Sequence, residues 1–167
     1  MNLVQKTDRR HLFEELYRVL KAGGRAVISD IVSNIDVPLD LQNDAQLWSG
    51  CISGAFREDQ FLEAFSDAGF HGMHIVSRQA EPWAVVEGIE FRSVTVEAHK
   101  SQPMAGEKRQ GQVIYHGPWR AVIDDLGQKL FRGQRIEVAA EPFSRYCCPP
   151  YAGCMTTISS EGDASDA

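Results

Sequence analysis

The sequence predicts an α/β fold: a partial sheet with a parallel strand, an antiparallel end pair, flanking helices and a small C-terminal β appendage. Three observations point there. An amphipathic helix, a glycine turn and an apolar strand follow one another within residues 7–32. Two longer β-prone runs, residues 71–79 and 89–98, come close together and are parted by Pro82-Trp83. After a polar linker, only short β-prone runs divided by turn residues remain.

The opening unit carries the clearest periodicity. Leu12, Phe13, Leu16, Val19 and Leu20 share one helical face. Thr7 or Asp8 is placed to cap the first amides. Gly23 suits the residue after the helix, where a left-handed backbone excludes a Cβ. Ala26-Val27-Ile28 and Ile31-Val32 then form a nearly continuous apolar run, the pattern of a strand covered on both faces. Ser29 stands near its C-terminal end and Asp30 is expected to follow it, where open α/β sheets collect ligands.

A polar connector with Pro38 leads to a short helix at residues 39–48, with Leu41, Ala45 and Trp48 on one side. Cys51 follows between Gly50 and Gly54, glycines that let the backbone approach a ligand closely. A second helix starts near Arg57 or Glu58 and buries Phe61, Leu62, Phe65 and Ala68, ending at Gly69. Residues 71–79 alternate around Met73, Ile75 and Ser77, and residues 89–98 are expected to be buried on both sides in their middle. Asn2-Leu3-Val4 reads as the last step of an earlier strand. The organisation expected is an α/β domain at residues 1–100, a linker at 101–110, a three-stranded appendage at 111–158 and a disordered tail at 159–167. The three strands lie at 112–115, 119–123 and 135–139.

Composition excludes some partners. Seventeen basic against 23 acidic side chains leave a net charge of −6, with no global pull toward nucleic acid or an anionic membrane. No apolar run approaches the length of a membrane helix, and Met1-Asn2-Leu3-Val4 is followed at once by polar residues, unlike a signal peptide. The four cysteines are therefore read as free thiols in a reducing cytoplasm. The five histidines form no ligand-spaced pair on a helix, and no metal site is expected. Trp48 and Trp83 are read as core aromatics or as walls of a small-ligand pocket. Glu87 and Glu90 are read as solvated strand-end carboxylates.

The segment RVLKAGGRAVISD resembles the late helix–turn–strand unit of class I S-adenosylmethionine-dependent methyltransferases. LWSGCISGAF and PWAVVEGIEFRSVTVEAHK resemble the arsenite methyltransferase branch of that family. The likeness covers residues 1–100 and continues more weakly through His116-Gly117-Pro118-Trp119 and Asp124-Asp125-Leu126-Gly127. It implies the C-terminal half of a Rossmann-like methyltransferase sheet. Asn2-Leu3-Val4 would be what remains of the fourth strand, leaving the strand after Gly24 as an edge that seeks a partner. The implied cofactor is S-adenosylmethionine. No Gly-rich turn stands between a strand and a helix, so its binding residues stay unassigned and catalysis by this chain alone is not expected. The implied acceptor is a small molecule held on thiolates, with Cys51 as the substrate-binding residue. Cys51 as a small buried core residue is the alternative. The resemblance calls for another thiol in FRSVTVEAHK, where this chain has Val94; Cys147 and Cys148, with Cys154, are the thiols that could replace it. No residue is assigned to catalysis. A non-catalytic reading stays beside this one: an oligomerising module that dimerises or complements a separate N-terminal half, or a thiol–metalloid-binding module.

Overall fold

The computed structural model describes residues 6–44, 47, 52–102 and 110–160. The chain divides into two compact units, Met1–Lys100 and Ser101–Ala167.

In the first unit α1 (Lys6–Val19) leads through a turn to β1 (Arg25–Ser33). Gly23 takes φ +70°, the left-handed geometry that only glycine adopts at little cost. Thr7 and Asp8 lie inside α1 rather than capping it, and Asp8 sits in the first turn, at the positive end of the helix dipole. A single helical turn, α2 (Leu39–Gln42), follows. Ala45 and Trp48, expected to continue that helix, lie outside the described residues, as do Asn2-Leu3-Val4. Next come β2 (Phe56–Arg57), α3 (Glu58–Asp67), β3 (His71–Arg78), β4 (Ala84–Val86) and β5 (Ile89–His99). β4 and β5 form a hairpin across Glu87 and Gly88, both at positive φ, as a tight two-residue hairpin turn requires.

The sheet order is β2-β1-β5-β3, with β4 also paired to β5. It is the mixed sheet expected, with a parallel contact and an antiparallel end pair. β1 pairs antiparallel with β5 along its whole length, from Arg25↔His99 to Ser33↔Phe91. Its parallel contact with β2 spans only Val32↔Phe56 and Ser33↔Arg57. Among the described residues, β1 from Arg25 to Ser29 thus has a strand neighbour on one side alone.

Side-chain alternation sorts the sheet into two unlike faces. Ala26, Ile28 and Val32 of β1 and Val94, Val96 and Ala98 of β5 join Phe13, Phe61, Phe65 and Phe70 in one core. Phe13 and Phe65 meet edge-on at 4.9 Å, and Phe61 and Phe65 at 5.4 Å. Burying each such ring stabilises the unit by about 1.5–3 kcal/mol. The other face is dry only at one end, where Val37, Leu41, Ile52 and Ala55 pack on Ile89 and Phe91. Elsewhere it is polar: Ser29 and Thr95 share a hydrogen bond of 2.6 Å, and Arg25 pairs with Glu97. This corrects the expectation that β1 and the middle of β5 are covered on both sides. Val27 is 52% exposed, because both long helices pack on the opposite face. β3 also departs from simple alternation. Two register irregularities, between His71 and His74 and between Ile75 and Ser77, leave Ile75 40% exposed.

The second unit is richer than a three-stranded appendage. β6 (Gly111–Tyr115) lies between β10 (Met155–Ser159) and β9 (Arg135–Val138), while β7 (Ala121–Ile123) pairs with β8 (Lys129–Phe131). Between β9 and β10 stand α4 (Ala140–Tyr146) and a 3₁₀ turn (Tyr151–Gly153). Ser159, expected to open the tail, is the last residue of β10 and pairs with Gly111; residues 161–167 lie outside the description. Gly111 is required by packing: a Cβ there would come within 2.2 Å of the Phe143 ring and 2.4 Å of the Ile158 carbonyl oxygen. The core gathers Val113, Tyr115, Leu130, Val138, Phe143, Tyr146 and Met155. Two tyrosines pin the Asp124-Asp125 turn: Tyr146 Oη donates to Asp124 and Tyr151 Oη to Asp125.

Candidate functional site

Cys51, the leading substrate-binding residue of the sequence reading, lies outside the described residues. The segment that follows it is well defined. Ile52, Ser53 and Ala55 are all buried, and Ser53 Oγ donates to the Asp44 carbonyl at 3.1 Å. The Ile52 amide donates to the Leu47 carbonyl at 3.1 Å, and that of Ala55 to Ile52 at 2.9 Å. Gly54 was expected to open the backbone to a ligand. Its carbonyl instead accepts a hydrogen bond from the Arg9 guanidinium, which comes from α1.

Arg9 is the organising side chain of this corner. It is only 6% exposed and its guanidinium lies over the Phe56 ring, 4.2 Å from the centroid. Burial pulls its pKa below the ordinary value, and the charge of Asp30 pulls it back up. An arginine stays protonated through such a shift, so a fixed positive charge is held at the Gly54 carbonyl. Beside Arg9 a cleft of about 340 Å³ opens, lined by Arg10, Phe56, Gln60, Glu63 and Asp67 among others. Sequence reasoning missed Arg9, which looks like a solvated helix charge next to Asp8 and Arg10. Its spacing from Phe13 and Leu16, four and seven residues on, was the available signal.

Ser29 and Asp30 do not form one site. Asp30 lies within β1, paired with Val94, rather than after the strand. It points to the helix-covered face with Val32, whereas Ser29 points to the polar face and bonds Thr95. Asp30 Oδ1 accepts the Ile31 amide at 2.9 Å and its charge is felt by Arg9, so its role is to hold the corner together. Val94, at the place where the resemblance calls for a thiol, is 1% exposed and fills the aromatic core.

Cys147 and Cys148 belong to the second unit and lie just past α4. The Cys147 amide closes the helix on Phe143 at 3.2 Å, and that of Cys148 reaches Arg145 at 3.0 Å. They therefore sit on a structured turn. Cys147 is exposed, Cys148 is half-buried, and both are free thiols. Cys154 packs against the core and donates to the Tyr151 carbonyl at 3.2 Å; burial pushes its pKa up, which suppresses its thiolate. Trp83 is 53% exposed, so it neither fills the core nor walls a closed pocket, and Trp48 lies outside the described residues. Glu90 pairs with Arg92, and Glu87 occupies the hairpin turn.

A mixed sheet with its helices on one face, followed by a small second unit, matches a solved methyltransferase. The chain superposes on CrArsM, an arsenic(III) S-adenosylmethionine methyltransferase from Chlamydomonas reinhardtii, with a TM-score of 0.56 and 21% identity, covering 95% of this chain and 57% of that one. This likeness defines a methyltransferase-like fold. The particular resemblance is to arsenite methyltransferases. The enzyme from Halobacterium salinarum is 31% identical over 100 residues, covering 56% of this chain and 26% of its own. The human enzyme is 28% identical over 151 residues, covering 84% of this chain and 40% of its own. The chain thus spans between about a quarter and two fifths of the length of these relatives, over their C-terminal part. Residues 102–167 match a family described as a domain of unknown function, DUF8838.

Proposed function

We propose that this chain holds a small acceptor on thiolates for methyl transfer from S-adenosylmethionine, with Cys51 in the first unit and Cys147 and Cys148 in the second as the thiols to be tested, each group by itself. The match to the human arsenite methyltransferase carries the proposal, because its 84% coverage reaches across both units of the chain. A soft trivalent metalloid such as arsenic(III) is the acceptor class that thiolates favour. The exposed free thiol of Cys147 supports it. The reading requires reduced thiols, hence a reducing compartment such as the cytoplasm.

The described residues do not fit the cofactor. S-Adenosylmethionine in such folds needs a Gly-rich turn between a strand and a helix. Here β1 runs into the polar connector before Pro38, and β2 passes straight into α3 with Glu58 and Asp59 in its first turn. Acceptor handling is therefore assigned to this chain, and methylation by this chain alone is not. Calorimetric titration of S-adenosylmethionine into the chain is expected to give no heat of binding; a micromolar dissociation constant would overturn that assignment. Titration of arsenic(III) into the wild type, Cys51→Ser and the double variant Cys147→Ser/Cys148→Ser tests the acceptor. Each variant is expected to bind more weakly, and binding equal to wild type removes the altered thiols from the site.

One observation favours a second reading, an oligomerising module. Among the described residues, β1 from Arg25 to Ser29 has a strand neighbour on one side alone, and such an edge is a template for another strand. Light scattering coupled to size exclusion is expected to report a dimer on this reading, and a monomer contradicts it.

A further inference from the structure

The polar face of the sheet carries a cluster that neither the resemblance nor the thiol chemistry uses. His74 on β3 stands opposite Glu97 on β5, and His71 stands opposite His99. Glu97 and His99 are two residues apart on one strand, so all four side chains leave the sheet on the same face, away from the aromatic core. One potential ligand atom from each of His74, Glu97 and His99 lies within 4.8 Å of the others. We propose that His74, Glu97 and His99 form a binding site for a divalent transition-metal ion.

The geometry at Glu97 is the strongest support. Its Oε2 pairs with Arg25 at 2.6 Å, while its Oε1 faces His99 Nε2 at 3.2 Å. His99 is only 7% exposed, and its Nε2 has no hydrogen-bonding partner in line, although Glu97 is so near. Two donor atoms at this separation suit adjacent positions around one ion: ligands about 2.1 Å from a metal stand roughly 3.0–3.4 Å apart. A metal between them would satisfy both. His74 is exposed and completes the set. The surrounding groups hold the ligands in place. Arg25 fixes the outer carboxylate oxygen, the role an outer-shell partner plays at metal sites, and its positive charge moderates the affinity for a cation. The buried His71 ring stacks on His99 with centroids 6.2 Å apart and 30° between planes, which sets the imidazole orientation.

The donor set selects the metal. Two imidazoles and one carboxylate suit zinc, cobalt, nickel, copper(II) or iron(II), and are too poor in oxygen for calcium or magnesium. Three protein ligands leave at least one position open to water or to an anion. The site is distinct from the thiols in chemistry, since no sulfur contributes to it.

Cobalt(II) titration of the full chain tests this directly, because its visible spectrum separates nitrogen and oxygen ligands from thiolate. One equivalent is expected to bind with visible ligand-field bands and without a near-ultraviolet thiolate charge-transfer band. His74→Ala removes an exposed ligand and is expected to weaken binding at least about tenfold with an unchanged circular dichroism spectrum. Glu97→Gln keeps the shape of the side chain and is expected to do the same. Undiminished binding by His74→Ala, a spectrum dominated by thiolate charge transfer, or no binding at millimolar cobalt would each overturn the proposal.

Discussion

The two compact units are held together by different means. In the first, aromatic rings from α1, α3 and Phe70, just before β3, stack edge to face over β1 and β5, and most of the stability comes from burial. In the second, the strands are three to five residues long and the core mixes Val113, Leu130 and Met155 with three tyrosines or phenylalanines at its rim and centre. There, phenol-to-carboxylate bonds from Tyr146 and Tyr151 hold the Asp124-Asp125 turn. The lesson concerns where function can be placed. A unit secured by one dry face leaves its other face available for Arg25, His74, Glu97 and His99, and a unit secured by polar pins leaves Cys147 exposed on a turn.

The largest effect should come from the dry face. Phe65→Ala is expected to cost the first unit about 3–5 kcal/mol, read from hydrogen exchange of the β5 amides. A loss below about 1 kcal/mol would mean that burial does not dominate there. Arg9→Met removes the bond to the Gly54 carbonyl and the charge facing Asp30. It should cost about 2–3 kcal/mol in urea unfolding. A loss below about 0.5 kcal/mol would show that Arg9 does not hold this corner.

Tyr146→Phe tests the polar pins and is expected to cost about 1–1.5 kcal/mol. The same contact has a pH signature. Burial, with the bond to Asp124 and its charge, raises the Tyr146 pKa above its ordinary value near 10. Its contribution is fully present below the unfolded pKa and is lost as the pH rises through the folded one. An ultraviolet titration should therefore show one of the four tyrosines ionising only after the others, together with alkaline unfolding of the second unit. Four tyrosines titrating together would contradict it. The smallest effect is expected on the polar face, where Ser29→Ala with Thr95→Val should change stability by no more than about 0.5–1 kcal/mol.

These contrasts also explain what the sequence could and could not tell. The periodicity of Leu12, Phe13 and Leu16, the turn at Gly23 and the apolar run to Val32 gave α1 and β1, because each is a local signal. Phe61, Leu62 and Phe65 gave α3 in the same way. Pairing is not local. Nothing in residues 25–33 says that β1 runs antiparallel to β5, and the two-sided cover expected of it came from composition that a one-sided sheet also tolerates. The irregularities of β3 hide in a regular-looking alternation. In the second unit, β8 has a single buried residue, Leu130, between a charged and a half-exposed neighbour, too little to register as a strand. α4 was obscured by Pro142, although Phe143 and Tyr146 three residues apart are its buried face. For the sites, Arg9 was masked by neighbouring charges, and His74, Glu97 and His99 meet only once β3 and β5 are in register.

The central claim is that this chain holds its acceptor through sulfur. X-ray absorption at the arsenic edge of arsenic(III)-loaded protein tests it most directly, since it reports the atoms bonded to arsenic. The expected result is a shell of sulfur neighbours that loses occupancy in Cys51→Ser or in Cys147→Ser/Cys148→Ser. A shell of oxygen neighbours alone, in protein whose thiols are reduced, would contradict it.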